Sequence, residues 1–587
     1  MLLNTNTPWT KLKRDLPLAD PHFAVPGPID ILVGMDEMAQ FLTTDVRKGP
    51  PDTPLAQNTA FGWVLFGRVG NSHRDNLQVN SLHCDVQLVR AICRFWELEE
   101  LPSRRHFTAE EAYCEDYFNK THRRAADGRF IVQLPLKSDV ALGETRSVAV
   151  NRFLRMEKQF EKNAELHTNY KAFMHELLEM RHMEPVYNIP RNSFYMPHHP
   201  VLKSTSLTTK LRVVFNASMK SSTGNSLNDA LMVGPQLQHE LFAVLVRFRT
   251  HCYAMTADVA KMYRQVYVSE NCVDYQRIVW REDPSEPLQD YRLLRVTYGL
   301  ASASHLAVKA LQQTAKESNA THQQAAEVIL KDFYMDDLLT GASSKETLCT
   351  LQREISEVLS SGGFELRKWA TNCSDLFKNS PHVSEQVSHF LADDQEVRAL
   401  GLIWNTQHDY VTFEVNLNEP PSFLSKRAFL SDASMLFDPL GLIAPCTIKT
   451  KIWFQQIWRS EVDWDQVVPA EIEKQWLHHR IDLANLSALR LKRWIGTGGT
   501  GSVTELHVFA DASELAYAAV LYSRTIHADN KITVALIAAR TKVAPLKPIT
   551  LPRLELCAAH LAAKLVKHII SSFGHNSYRV YAWSDST

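Results

Sequence analysis

The sequence lacks the features that mark several large classes of protein. It has no apolar run near the roughly 18–20 residues of a membrane span, and its first twenty residues are too charged for a secretory signal. Its nine cysteines include no Cys-x-x-Cys pair, which disfavours a zinc knuckle or a dense disulfide framework. There is no charge excess, because 64 Lys and Arg face 65 Asp and Glu. We therefore expect a soluble intracellular protein, located in the cytoplasm and without membrane contact.

The composition is that of a folded protein with several domains. The chain has 587 residues, 45% of them hydrophobic and 22% charged, and domains of roughly 100–200 residues predict about three to five folded units. The pattern changes along the chain: strand-like runs at 29–34 and 61–67, mostly amphipathic helix over 97–183, mixed strands and helices over 252–416, a Trp-rich helical stretch over 427–494, and a glycine-rich linker at 496–502. This order predicts an α+β multidomain fold.

One segment is locally basic within this neutral chain. Residues 186–228 contain five Lys or Arg and no Asp or Glu. Such a segment is the first candidate for binding a polyanion.

Three aspartates suggest a metal site. Asp336 and Asp337 lie between two apolar half-strands, where a tight hairpin would place both carboxylates at its tip, although Asp-Asp is also ordinary turn chemistry. Asp258 ends a strand-like run, where a single acid is commonly a helix cap. Two-metal phosphoryl transfer needs two or three carboxylates from different elements to hold ions about 3.5–4 Å apart. These three residues are the candidate set.

Several ordered motifs carry a resemblance to a known family. They are residues 210–218 (KLRVVFNAS), 226–235 (SLNDALMVGP), 257–263 (ADVAKMY), 334–337 (YMDD) and 364–372 (FELRKWATN). Residues 257–263 and 334–337 resemble motifs A and C of reverse transcriptases, respectively. The whole set is most similar to the polymerase polyproteins of BEL/Pao retrotransposons. Residues 427–445 resemble the segment that follows the polymerase in that family, so the resemblance covers nearly the whole chain.

The resemblance implies a right-hand polymerase with fingers, palm and thumb. In it, Asp258, Asp336 and Asp337 would hold two Mg²⁺ ions, with Mn²⁺ as the alternative. Lys210 and Arg212 resemble the fingers residues that grip the triphosphate, although ordinary solvated charges would give the same pattern.

Other motif positions carry further implied roles. Tyr263 falls where the family has an aromatic residue that screens the sugar 2′ position. Gly299 lies in residues 298–307, which resemble motif B, whose small residues let template and incoming base approach the backbone. Ser304 stands where related elements usually have proline. Lys368 matches a lysine late in the palm and is equally consistent with a surface charge.

The C-terminal segment resembles a retroviral-type RNase H. Its motifs are residues 506–513, 551–559 and 583–587, which contribute Asp511, Glu555 and Asp585. The implied reaction is metal-dependent hydrolysis of the RNA strand of an RNA–DNA hybrid. The sequence ends two residues after Asp585, before the family's fourth acid, so weak or absent RNase H activity is expected.

The N-terminal segment resembles the second half of the family's aspartic peptidase. The matching stretches are residues 28–36 and 59–67, and the catalytic Asp-Thr/Ser-Gly of such enzymes is not in the sequence. Peptidase activity is therefore not expected. With no integrase motif either, the sequence is interpreted as an internal or truncated portion of a longer polyprotein.

These observations predict five regions and one leading function. The regions are a peptidase remnant (1–75), a helical linker region (76–184), reverse transcriptase fingers and palm (185–375), a thumb or connection region (376–495) and a truncated RNase H-like α/β domain (503–587). The leading interpretation is an RNA-directed DNA polymerase that uses dNTPs, an RNA template and a DNA or RNA primer, and binds the RNA–DNA hybrid.

Two alternatives remain open at this stage. One is an inactive or domesticated remnant that binds nucleic acid. The other is an RNA-directed RNA polymerase, which Tyr263 and the RNase H motifs disfavour. The sequence leaves the oligomeric state open, and assembly into virus-like particles is an alternative to a free cytoplasmic protein.

Overall fold

The computed structural model describes most of the chain. The described residues are 16–20, 41–48, 55–66, 107–187, 193–202, 211–373, 376, 396–415, 417, 419, 423–497, 501–574 and 578–586. The chain divides into two compact units, residues 1–85 and 86–587. In the described part, no helix combines the length and apolar character needed to cross a membrane.

The smaller unit contains a three-stranded antiparallel sheet. Its strands, in order, are β1 (Leu42–Lys48), β2 (Leu55–Thr59) and β3 (Gly62–Phe66). The strand-like run predicted at 61–67 coincides with β3, whereas the run at 29–34 lies outside the described residues. The assignment of this unit to a peptidase stays a prediction.

The first half of the larger unit mixes helices and short strands. Its helices are α1 (Ala109–Thr121), α2 (Arg146–Phe160), α3 (Ala164–Glu179), α4 (Leu227–Ala230), α5 (Leu241–Phe248), α6 (Ala303–Ser318), α7 (Gln323–Lys331) and α8 (Lys345–Ser361). Its strands are β4 (Arg123–Arg124), β5 (Phe130–Val132), β6 (Met183–Val186), β7 (His198–Leu202), β8 (Leu211–Phe215), β9 (Tyr253–Val259), β10 (Tyr267–Val268), β11 (Arg277–Trp280), β12 (Gln289–Leu293), β13 (Phe333–Tyr334), β14 (Asp337–Ala342) and β15 (Leu366–Thr371). The helical prediction for 97–183 is correct for α1 to α3, but β4 and β5 interrupt it.

The second half has the same mixed character. Its helices are α9 (Lys426–Ala433), α10 (Ala444–Arg459), α11 (Ala470–Leu483) and α12 (Leu551–Phe573). Its strands are β16 (Glu396–Ala399), β17 (Leu402–Asn405), β18 (Tyr410–Thr412), β19 (Leu491–Lys492), β20 (Val503–Ala512), β21 (Ala516–Ile526), β22 (Ile532–Val543) and β23 (Arg579–Trp583). The predicted mixed α/β architecture is therefore confirmed.

A four-stranded sheet, here called the central sheet, lies at the heart of the first half. Its strand order is β13-β14-β9-β15, all antiparallel. Alternate residues of β9 point into different cores: Met255 and Ala257 belong to one apolar cluster and Ala254 to another. Because both faces are covered, the strands are apolar along most of their length, and the acids are found only where the strands end.

The C-terminal domain pairs one helix with one sheet. The strand order is β22-β21-β20-β23, with β20 and β23 parallel and the other pairs antiparallel. Helix α12 packs on β20 and β21 through an apolar stripe of residues three or four positions apart. Residues 505–521, which have a strand pattern in the sequence, are divided in the structure between β20 and β21.

Two buried arginines join the halves of the larger unit. Arg249, just after α5, donates hydrogen bonds to the carbonyls of Lys492, Arg493 and Ile537. Arg493 in turn forms a bidentate ion pair with Asp409, with Nε 2.6 Å from Oδ1 and Nη2 2.8 Å from Oδ2. Burial, together with the neighbouring Arg493, lowers the pKa of Arg249 to about 9. The site therefore contains two buried guanidinium groups, and the Asp409 carboxylate pairs with one of them.

A buried histidine makes this fold sensitive to acid. His198 accepts a hydrogen bond from the Tyr170 hydroxyl and donates one to the Val279 carbonyl, at 2.5 and 2.9 Å. Burial lowers its pKa to about 4, whereas an unfolded histidine titrates near about 6.5. As the pH falls, the unfolded chain therefore takes up a proton at this histidine before the folded chain does. The free energy of unfolding decreases by about 3 kcal/mol as the pH falls from about 6.5 to about 4.

We expect the thermal unfolding midpoint to fall over this pH range. His198→Gln should reduce the number of protons taken up on unfolding, which the slope of stability against pH measures, by up to one. His478→Gln, which alters an exposed ring, should leave this number unchanged. Equal pH dependence in the His198→Gln variant and the unaltered chain would contradict this explanation.

Candidate active sites

The central sheet brings the three predicted aspartates together. Asp258 on β9 is directly opposite Asp337 on β14. Asp336 lies in the two-residue turn between β13 and β14, where Met335 adopts a positive φ of 58°. The Val259 amide donates to the Asp336 carbonyl at 2.8 Å, which fixes this turn against β9. The predicted hairpin with both acids at its tip is present.

The three carboxylates repel one another. Burial, followed by the charges of Asp336 and Asp258, raises the pKa of Asp337 to about 7. Burial and Asp258 also raise the pKa of Asp336, while Lys368 and Arg212 oppose this effect. Carboxylate oxygens are the ligands that Mg²⁺ and Mn²⁺ prefer, so these three side chains offer the donor type of a divalent-cation site.

Lys368 belongs to this site. Its ammonium lies 2.5 Å from Asp258 Oδ2. It reaches this position because β15 contains a bulge between Arg367 and Ala370, where Lys368 itself has a φ of 52°. Sequence reasoning left this lysine open between a site residue and a surface charge, because a bulge cannot be identified from residue alternation alone. The structure pairs it with Asp258.

The loop that resembles motif B is fixed to strand β8. Gly299 has a φ of 103°, and a Cβ atom there would lie 2.4 Å from the Phe215 carbonyl oxygen. Only glycine fits, and the close approach is to protein backbone. The Asn228 side chain donates to the Gly299 carbonyl at 2.9 Å and accepts from the Ala301 amide at 2.8 Å. Sequence reasoning missed Asn228, whose only signal was its place in the 226–235 motif.

The remaining predicted positions that the structure describes lie near this loop and on strand β8. The Tyr263 hydroxyl is 3.2 Å from Ser304 Oγ, the second residue of α6. Arg212 is exposed on β8, opposite Val201, and its positive charge opposes the rise in the pKa of Asp336. Lys210 lies outside the described residues.

A second group of acids meets at the edge of the C-terminal sheet. Asp511 lies near the end of β20 and Asp585 follows β23, and parallel neighbours bring their carboxyl ends to the same edge. Glu555 on α12 completes the group, with one ligand atom from each residue within 4.8 Å of the others. Glu555 Oε2 is buried and has no hydrogen-bond partner among the described residues. An unpaired buried carboxylate oxygen of this kind fits a metal ligand.

Comparisons with known proteins find one family model that matches the C-terminal part of the chain. Residues 425–586 match the family described as "Pao retrotransposon-like RNaseH-like domain". This span includes α9 to α11 as well as the C-terminal domain and all three of its acids. No curated protein sequence matches the chain.

Two solved structures are also similar to the chain. A foamy viral protease-reverse transcriptase in complex with an RNA/DNA hybrid has 12% identity and a TM-score of 0.47, over 90% of this chain and 63% of that one. A foamy viral protease-reverse transcriptase dRH in complex with double-stranded DNA has 13% identity and a TM-score of 0.45, over 88% of this chain and 77% of that one. The chain thus spans less than two thirds of the first of these proteins.

Proposed function

We propose that the chain is an RNA-directed DNA polymerase of a BEL/Pao-type retroelement. The match of residues 425–586 to the Pao retrotransposon-like RNaseH-like domains supports this proposal. The chain would copy an RNA template into DNA from a DNA or RNA primer, with dNTPs as substrates. The observation that supports this most directly is the pairing of Asp258 with Asp337 beside Asp336 on the central sheet.

The proposed chemistry depends on these three carboxylates. They would hold two Mg²⁺ ions, which supply activation of the primer 3′-hydroxyl and neutralisation of the leaving pyrophosphate. Arg212 offers a planar guanidinium to the triphosphate, which it can bind through two parallel hydrogen bonds. Lys368 restrains Asp258 from the opposite side, and Asn228 fixes the loop at Gly299 against which the new base pair would lie.

Primer extension on an RNA template tests the proposal. The full chain is incubated with a primed RNA, dNTPs and Mg²⁺ or Mn²⁺, and extension is expected with dNTPs and not with rNTPs. Extension with rNTPs instead would favour the RNA polymerase alternative. A folded chain that binds the hybrid and extends nothing would favour the inactive remnant.

The Tyr263 hydroxyl gives a finer prediction about sugar selection. Under the proposed function, Tyr263 screens the sugar 2′ position and Ser304 holds its ring in place through one hydrogen bond, worth about 1 kcal/mol. Ser304→Pro should fold, because proline is tolerated in the first turn of a helix. We expect it to lower the preference for dNTP over rNTP about 2- to 5-fold, measured as the ratio of incorporation efficiencies.

Two tyrosine variants test the origin of this effect. Tyr263→Phe removes the same hydrogen bond and should match Ser304→Pro, whereas Tyr263→Ala removes the ring and should reduce the preference much further. A Ser304→Pro chain that discriminates as the unaltered chain does would show that the two hydroxyls act independently.

The C-terminal acids support a second candidate activity, hydrolysis of the RNA strand of an RNA–DNA hybrid. Asp511, Glu555 and Asp585 would hold the ions that activate a water molecule. We expect weak Mg²⁺-dependent cutting of a labelled hybrid that Asp511→Asn abolishes and Asp529→Asn, on an exposed turn, leaves unchanged. Cutting that survives Asp511→Asn would assign the activity elsewhere.

A further inference from the structure

The short turn that carries Tyr263 begins with an unusual backbone conformation. It follows β9 as a single 3₁₀ turn, Met262–Gln265. The residue before it, Lys261, has a φ of 51°, and a lysine keeps this left-handed conformation only where surrounding contacts hold it. The Lys261 carbonyl accepts the first hydrogen bond of the turn, from the Arg264 amide at 2.8 Å. Contacts that hold Lys261 therefore also set where the turn begins.

One carboxylate from helix α3 binds both cations of this segment. Glu176 accepts a hydrogen bond from the Lys261 ammonium and another from the Arg264 guanidinium, the latter at 3.1 Å. Among the described residues, no other carboxylate pairs with either cation. The Arg264 guanidinium also lies 5.5 Å from the centre of the Phe173 ring on the same helix. Helix α3 thus contacts the chain on both sides of Tyr263.

The Glu176 carboxylate is charged at neutral pH. Burial raises its pKa, but the hydrogen bond from Lys261 and the charge of Arg264 outweigh burial and hold the pKa below its usual value. The side chains of Glu176 and Arg264 are 37% and 15% exposed, so water screens this contact only in part. Hydrogen bonds between charged groups are stronger than neutral ones. Replacement of the carboxylate by an amide should therefore loosen the turn and keep the size of the side chain.

Two sets of contacts fix the Tyr263 ring. The bond between its hydroxyl and Ser304 Oγ, at 3.2 Å, acts on the far end of the ring. The ion pairs of Glu176 act on the residues that flank Tyr263, and so on the backbone that sets the direction of its side chain. Glu176 is 85 and 88 positions from the two cations in the sequence. No local motif reports this contact.

We propose that Glu176 is a positioning residue for sugar selection, which acts through Tyr263 rather than on the substrate itself. The inference rests on the proposed function, in which this ring screens the sugar 2′ position. While the carboxylate holds the turn, the ring keeps the place that a 2′-hydroxyl would need, and a ribonucleotide is rejected. When the carboxylate is neutralised, the ring can move aside. Helix α3, within the region 76–184 that the sequence assigned to a linker, would then take part in nucleotide selection.

Single-nucleotide incorporation with matched dNTP and rNTP substrates tests this role. Glu176→Gln should lower the ratio of kcat/KM for dNTP over rNTP about 5-fold, through faster rNTP incorporation, while kcat for the dNTP stays within about 2-fold. Glu179→Gln neutralises an exposed acid on the same helix and should leave the ratio unchanged. Thermal unfolding verifies that both variants fold. A merely structural role for Glu176 would instead lower incorporation of both nucleotides alike and leave the ratio as it was.

A second comparison shows whether the effect passes through the ring. In a Tyr263→Ala chain, which lacks the screen, Glu176→Gln should change the ratio less than about 2-fold. Arg264→Gln disrupts the same contact from the turn and should lower the ratio in the same direction as Glu176→Gln. A ratio that Glu176→Gln leaves unaltered, or an equal change with and without the ring, would overturn the positioning role and leave the proposed function standing. Failure of the unaltered chain to incorporate any nucleotide would overturn both.

Discussion

The Asp336→Asn variant is expected to fold as the unaltered chain does and to lose nucleotide incorporation by roughly 1000-fold or more. Removal of the Asp336 carboxylate leaves the proposed metal site with two of its three carboxylate ligands, and metal ions contribute several kcal/mol to phosphoryl transfer. The fold should tolerate the change, because burial and Asp258 already raise the pKa of Asp336. The folded chain therefore disfavours the very charge that the substitution removes. Single-nucleotide incorporation on a primed RNA measures the effect.

The control for this experiment is a neutralised acid elsewhere. Asp283→Asn removes an exposed carboxylate from the loop between β11 and β12 and should leave incorporation within about 2-fold of the unaltered chain. Thermal unfolding of both variants should match the unaltered chain or exceed it. Incorporation by Asp336→Asn above about a tenth of the original rate would place the catalytic metals elsewhere.

Asp409→Asn is expected to destabilise the chain more than any surface substitution. Asp409 neutralises Arg493, whose side chain is fully buried, and Arg249 lies beside it. Loss of one partner of a buried ion pair leaves an uncompensated charge and costs about 3–5 kcal/mol. Asparagine keeps the shape of the side chain and tolerates the positive φ of 51° at this position. Charge is therefore the main property that changes.

Urea unfolding measures this loss. The midpoint of the Asp409→Asn variant should fall clearly below that of the unaltered chain. Asp465→Asn is the matched control, because Asp465 pairs with Arg427 where both side chains are exposed, and such pairs contribute about 0–1 kcal/mol. Equal midpoints for the two variants would mean that Arg493 finds another counter-charge or that water reaches it.

The sequence predicted the parts of the sites that depend on local pattern. Asp336 and Asp337 were placed at a hairpin tip because apolar half-strands flank them, and a turn follows from such a pattern directly. The C-terminal acids came from short motifs that resemble those of a known family, and the structure brings Asp511, Glu555 and Asp585 together. In both cases the signal lies within a few residues.

The parts that were missed depend on contacts between distant segments. Asn228 and Gly299 are 71 positions apart in the sequence, and no periodicity reports a hydrogen bond across that distance. Lys368 reaches Asp258 only through a bulge, which shifts the register of β15 by an amount that alternation does not reveal. Arg249 lies just after α5 and is buried by contacts with residues more than 240 positions away, and such burial leaves no mark on the local sequence.

The hydrogen bonds of Arg249 have a consequence for how this protein can diverge. All three of its acceptors are main-chain carbonyls, at Lys492, Arg493 and Ile537. Every amino acid supplies a carbonyl, so substitution at Lys492 or Ile537 leaves these acceptors in place as long as the backbone path is kept. The contact between the two halves can thus tolerate side-chain substitutions at Lys492 and Ile537, provided that Arg249 is retained. Exchange of C-terminal domains between related elements would preserve this attachment.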